Sequence, residues 1–96
     1  EGLRVLIVDD NAVNRQILEY YVKNWGMICE TAESAREALE KAVSAYHRGE
    51  PFDVAIIDYM MPEEDGFSLA RKLKAQEATA GIRLVLLTSL TKRGIA

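Results

Sequence analysis

At 96 residues, with 49% apolar and 28% charged side chains, the chain suffices for one small domain and is too ordinary in composition for a disordered segment. Its formal net charge of -3 disfavours direct nucleic-acid contact, and its one cysteine, Cys29, excludes an internal disulfide. No apolar run reaches the length of a membrane span and no leader pattern opens the chain, so the expectation is a cytoplasmic protein without membrane contact.

The first predicted element is a buried strand over residues 3–8 (LRVLIV), stopped by Asp9 and Asp10. Helical periodicity follows over residues 11–25, with Val13, Ile17 and Tyr21 on one stripe and Leu18, Val22 and Trp25 beside it, and Gly26 as the stop. A second strand is predicted over residues 27–31. Ser34 and Glu37 form a capping box before a helix with apolar positions Ala35, Ala38, Leu39, Ala42, Val43 and Tyr46, which Gly49 and Pro51 end. Residues 52–57 read as a third strand running into Asp58. Residues 60–66 are turn-like, with Asp65 placed to cap a third helix that runs to about Thr79 and turns Phe67, Ala70 and Leu73 inward. Gly81 punctuates, residues 82–87 form a fourth strand, and Thr88 and Ser89 follow it. His47 reads as a surface residue, Cys29 as a small core or semi-buried residue, and Tyr20, Tyr21 and Trp25 as core and helix-surface packing. The β-α-β-α-β-α-β order, with continuous apolar strands and amphipathic helices, predicts an α/β fold with a doubly wound parallel sheet.

Three of the four strands run, at their carboxyl side, into a reactive group: Asp9 and Asp10, Asp58, and Thr88 with Ser89. A parallel sheet places all of these on one edge, where open α/β folds bind ligands. Three carboxylates gathered there repel one another, and a hard divalent cation relieves the repulsion. Mg²⁺ suits such a site because it takes oxygen ligands and is often completed by phosphate oxygens. An ionised aspartate is also a competent nucleophile toward phosphorus, and a hydroxyl such as that of Thr88 can bond a phosphoryl oxygen. The first helix begins just after Asp10, so its free amides add positive potential nearby.

Residues 5–10 (VLIVDD), 58–62 (DYMMP), 65–66 (DG) and 87–89 (LTS) resemble the receiver domain of two-component response regulators. Asp9, Asp10 and Asn11 followed by Asn14 and Arg15 are similar to receivers attached to hybrid histidine kinases. The resemblance covers the whole chain, residues 1–96, as a single domain. It implies a flavodoxin-like sheet of order 2-1-3-4, with strand five and helix five of the family absent. It implies that Asp58 accepts a phosphoryl group and that Asp10 binds Mg²⁺ directly, with Asp9 acting through water or as a second ligand. The backbone carbonyl of Met60 is a further implied ligand, and Mn²⁺ an implied substitute for Mg²⁺. Thr88 would contact the phosphoryl group and move on activation, Pro62 and Gly66 would shape the loop after Asp58, and Ser89 would leave room beside Thr88. The implied partners are a histidine kinase or a histidine phosphotransfer domain, with a kinase or output domain covalently attached in the parent.

The chain opens on Glu1 with a strand almost at once and ends soon after strand four, so it is expected to be a piece of a longer protein. The family's lysine after strand five has no counterpart; Lys92 lies only four positions past Thr88 and is not assigned that role. Tyr59 is placed at the mouth of the site. Strand four is expected to be an exposed apolar edge through which a second copy could pair. The expected function is a phosphorelay switch rather than an enzyme, assisting its own phosphoryl transfer and dephosphorylation. An unphosphorylated receiver-like interaction module is the alternative. A phosphatase is disfavoured because Met60 occupies the position of its general acid, and no Walker A or dinucleotide fingerprint is present.

Overall fold

The computed structural model describes residues 2–58 and 65–87. Along them alternate β1 (Arg4–Val8), α1 (Ala12–Asn24), β2 (Ile28–Ala32), α2 (Ala35–His47), β3 (Val54–Asp58), α3 (Gly66–Ala75) and β4 (Arg83–Leu87). The boundaries follow local chemistry. The Asn11 side chain accepts from the Asn14 amide, Ser34 from Glu37 and Asp65 from Ser68, so each helix starts on a side-chain cap. Gly26 and Gly49, at φ of +83° and +80°, turn the chain out of α1 and α2 in the left-handed region that favours glycine.

The strands pair parallel in the order β2-β1-β3-β4. Val5 stands opposite both Cys29 and Val54, and Val8 opposite both Ala32 and Ile57, so β1 is central and in register with its two neighbours. From β1 the chain winds first to one side, into β2, and then back across to β3. The reversal puts the switch point of the sheet between the carboxyl ends of β1 and β3. The fold is flavodoxin-like, as expected.

Successive strand residues point to opposite faces and feed two cores. Leu6, Val8, Ala55 and Ile57 pack with Ala38, Ala42 and Ala45 of α2 and Leu69 and Leu73 of α3. Val5 and Ile7 pack on the other face with Val22 and, less deeply, Leu18, Val54 and Ile56.

Several sequence expectations need correction at the level of helix faces. On α1 only Val22 is buried, with Leu18 half-buried; Val13, Ile17, Tyr20, Tyr21 and Trp25 are exposed, Trp25 by 66%. Two apolar stripes lie roughly 100° apart on this helix, and the sheet takes Leu18 and Val22 of the second. On α3 the buried pair is Leu69 and Leu73, while Phe67 is exposed. On α2 the inward face includes Ala45 and leaves Tyr46 exposed. Helix α3 ends at Ala75 rather than near Thr79: Gln76 is extended, and the buried Thr79 hydroxyl donates to the Leu73 carbonyl, closing the end of the helix. Along β4 burial alternates, with Val85 and Leu87 exposed on the α1 side of the sheet. Among the described residues β4 is an edge strand, as expected. His47 is exposed and Cys29 half-buried, also as expected.

Candidate functional site

Because Val8 is opposite Ile57, the residues that follow them in the chain, Asp9 and Asp58, emerge side by side at the switch point, with Asp10 next to Asp9. One carboxylate oxygen from each of the three lies within 4.8 Å of the others. Asp9 and Asp58 are buried, and Asp10 is half-buried at the mouth. The strands therefore bring together three acids from two segments 48 residues apart (58 - 10).

Asp9 is held on every side. Its amide donates to the Ala32 carbonyl at 3.0 Å, extending the β1–β2 pairing by one residue. Its Oδ1 accepts from the Asn11 amide at 2.9 Å, which tightens the turn into α1. Its carbonyl accepts from Arg15 Nη1 at 2.8 Å. Asn11 in turn accepts from the Asn14 amide at 3.1 Å, so the first turn of α1 lies beside the acids and adds positive potential.

The donor set is all carboxylate oxygen, which fits a hard cation such as Mg²⁺ or Mn²⁺ rather than a metal that prefers sulfur or imidazole. Among the described residues this is the one cluster of three or more acids, histidines or cysteines able to hold an ion. Met60 and Thr88, the other expected site residues, lie outside the described residues, as do Tyr59, Pro62, Ser89 and Lys92. Gly66 opens α3 and Asp65 caps it through the Ser68 amide at 2.9 Å. Cys29 is no part of the site: burial pushes its thiol up to about 11, which leaves it protonated at neutral pH.

Residues 5–95 match the family described as response regulator receiver domain. The chain belongs to that family. Its receiver domain is 40% identical over 81 residues to the two-component response regulator ARR22 of Arabidopsis thaliana, covering 83% of this chain and 54% of that one. It is 32% identical over 88 residues to the hybrid signal transduction histidine kinase L of Dictyostelium discoideum, covering 92% of this chain and 5% of that one. The chain thus spans about half the length of the first relative and a small fraction of the second. A solved receiver domain of the sensor histidine kinase PA1611 of Pseudomonas aeruginosa is similar in structure, with a TM-score of 0.75 and 26% identity, covering 98% of this chain and 73% of that one. That structure is described with a magnesium ion coordinated in its active-site cleft. Two-component signalling is therefore the setting of this receiver domain. Among its described residues no helix is long and apolar enough to cross a membrane.

One residue of the site carries no role in the sequence reading. Arg15 appears there only within a motif, yet it reaches back six positions to bond Asp9. Its place one turn into α1, beyond an acid pair, is the feature that marks it.

Proposed function

We propose that residues 1–96 form a single cytoplasmic receiver domain that accepts a phosphoryl group on Asp58 from a phosphohistidine donor, on a histidine kinase or a phosphotransfer domain. The supporting observation is the convergence of the Asp58 carboxylate with those of Asp9 and Asp10 within 4.8 Å at the sheet's switch point. A carboxylate oxygen of Asp58 forms the new P–O bond while the P–N bond to the donor imidazole breaks, giving an acyl phosphate. The Thr88 hydroxyl donates to a phosphoryl oxygen, and the added charge shifts the domain between two conformations that control output. Asp9, Asp10, Asp58 and the Met60 carbonyl would hold Mg²⁺, or Mn²⁺ in its place, which supplies positive charge to screen the carboxylates and the phosphoryl oxygens. The domain is a phosphoacceptor rather than an enzyme with its own substrate. A covalently linked kinase or output domain in the parent is part of this reading, and the hybrid histidine kinase among the relatives supports it. In the isolated chain, the β4 edge is the place where a second copy would pair.

The test is intact-protein mass after incubation with Mg²⁺ and a small phosphodonor, with Asp58→Asn alongside. Gain of one phosphoryl group, absent in Asp58→Asn, is expected. No gain in the unaltered chain would instead favour a receiver-like interaction module that is not phosphorylated.

A further inference from the structure

Two of the three acids of the site, Asp9 and Asp10, lie in a turn of only three residues between β1 and α1, and a short turn is accurate only if something fixes it. The Asn11 amide fixes the Asp9 carboxylate. The Asp9 carbonyl, part of the peptide unit that carries Asp10, is also fixed from outside the turn. Arg15 does this from the first turn of α1, with Nη1 donating to that carbonyl at 2.8 Å. The same guanidinium lies near enough to Glu37 of α2 to help hold that carboxyl below its ordinary value. Glu37 pairs with Lys41, whose ammonium donates to the Thr31 carbonyl near the end of β2. Hydrogen bonds thus join α1 to the end of β1 through Arg15 and α2 to β2 through Lys41, with the Arg15 charge acting on Glu37 between them.

We propose that Arg15 is a positioning residue for the acidic site: it clamps the Asp9 carbonyl and so sets the Asp9–Asp10 peptide for cation binding. The inference rests on the reading that the three acids take Mg²⁺. Charge and position make opposite demands here, which makes the role testable. An arginine acting by charge alone repels a cation, so removing it would tighten Mg²⁺ binding. An arginine acting by position loosens the turn when removed, and binding weakens. A charged hydrogen bond to a half-buried carbonyl, one of the stronger kinds, favours the second outcome over a cation already screened by solvent and by Glu37.

The experiment is calorimetric titration of the chain with MgCl₂, comparing the unaltered protein with Arg15→Ala and Arg15→Lys, at a temperature where circular dichroism shows all three folded. Arg15→Ala is expected to bind Mg²⁺ about 5- to 10-fold more weakly, the loss that one such bond implies. Arg15→Lys, which keeps a donor within reach of the same carbonyl, is expected to recover at least half of that loss on a logarithmic scale. Affinity of Arg15→Ala within twofold of the unaltered chain, or tighter, overturns the proposal. So does Arg15→Lys as weak as Arg15→Ala, because a merely structural arginine would not be rescued. Absence of binding in the unaltered chain is a separate result: it removes the Mg²⁺ reading itself, and this inference with it.

Discussion

Asp58 shares its corner of the molecule with two other acids, and that crowding has a cost before any cation arrives. Two unit charges 4.8 Å apart repel by roughly 3 kcal/mol at an effective dielectric of about 20, and solvent at the half-buried Asp10 trims this further. Asp58→Asn removes one charge and keeps the shape. In a Mg²⁺-free buffer the variant is expected to melt higher than the unaltered chain, by about 4–8 °C if about 1 kcal/mol survives screening. Saturating Mg²⁺ should then raise the unaltered chain far more than the variant, by about 2.7 kcal/mol at a hundredfold excess over Kd. Scanning calorimetry with and without the ion checks both halves; a variant that melts lower in both buffers would show that Asp58 is held by bonds that outweigh the repulsion. The acids themselves are legible in the sequence because each interrupts an apolar run at a strand end. Arg15 is not legible in that way, since its partner is a backbone carbonyl, and a carbonyl leaves no mark on composition or periodicity.

The elements are bounded by signals that act within a few residues, and those are legible. Ser34 caps α2 as its S-x-x-E pattern predicts, with the Glu37 amide donating to Ser34 Oγ at 3.1 Å. The return bond differs from the simplest capping box: Glu37 Oε1 accepts from the amide of Glu33, one residue before the cap, at 2.9 Å. That bond holds the Glu37 carboxyl below its ordinary value, with Lys41 and Arg15 adding to the effect and partial burial opposing it. A carboxyl whose folded pKa lies below its unfolded one contributes stability that is complete above the unfolded value. The contribution fades as pH falls through the folded value. Glu37→Gln, which removes the charge but keeps an acceptor for the Glu33 amide, should therefore flatten the acid limb of the stability curve below about pH 5, while near pH 7 it costs the charge assistance to the bond, about 1 kcal/mol. Urea midpoints across that range measure it, and parallel curves for the two proteins would contradict the assignment. The helix faces are less legible. Val13, Ile17 and Tyr21 share a stripe as good as that of Leu18 and Val22, and only the position of the sheet decides that Val22 is buried and Tyr21 is not.

At the scale of the whole sheet, its two faces are covered unequally among the described residues. Beneath α2 and α3 the core is continuous, from Val8 and Ile57 through Ala42 to Leu69 and Leu73, all buried. Beneath α1, among the described residues, only Val5, Ile7 and Val22 are fully buried, Val54 and Ile56 are half-buried, and Val85 and Leu87 of β4 are exposed. The fold class is legible because strands and helices alternate. The imbalance is not, because Val54, Ile56, Val85 and Leu87 are as apolar as their neighbours, and sequence pattern does not say which face a helix covers. Leu6 and Ile7 turn this into a measurement: they are adjacent on β1, both fully buried, and point to opposite faces. Truncating either to Ala removes a similar apolar volume. The penalty then depends on how readily the surroundings close the cavity, and the range for such changes is about 2–5 kcal/mol. Around Leu6 the lining is fixed by two helices, so Leu6→Ala belongs near the upper end of that range. Around Ile7 the half-buried neighbours can shift inward and water can approach, so Ile7→Ala belongs near the lower end. Urea unfolding of the two variants decides it: equal losses would mean that the α1 face is as rigid as the other despite its exposure, whereas a gap of more than about 1 kcal/mol places the stability of this receiver domain on the α2–α3 side of its sheet.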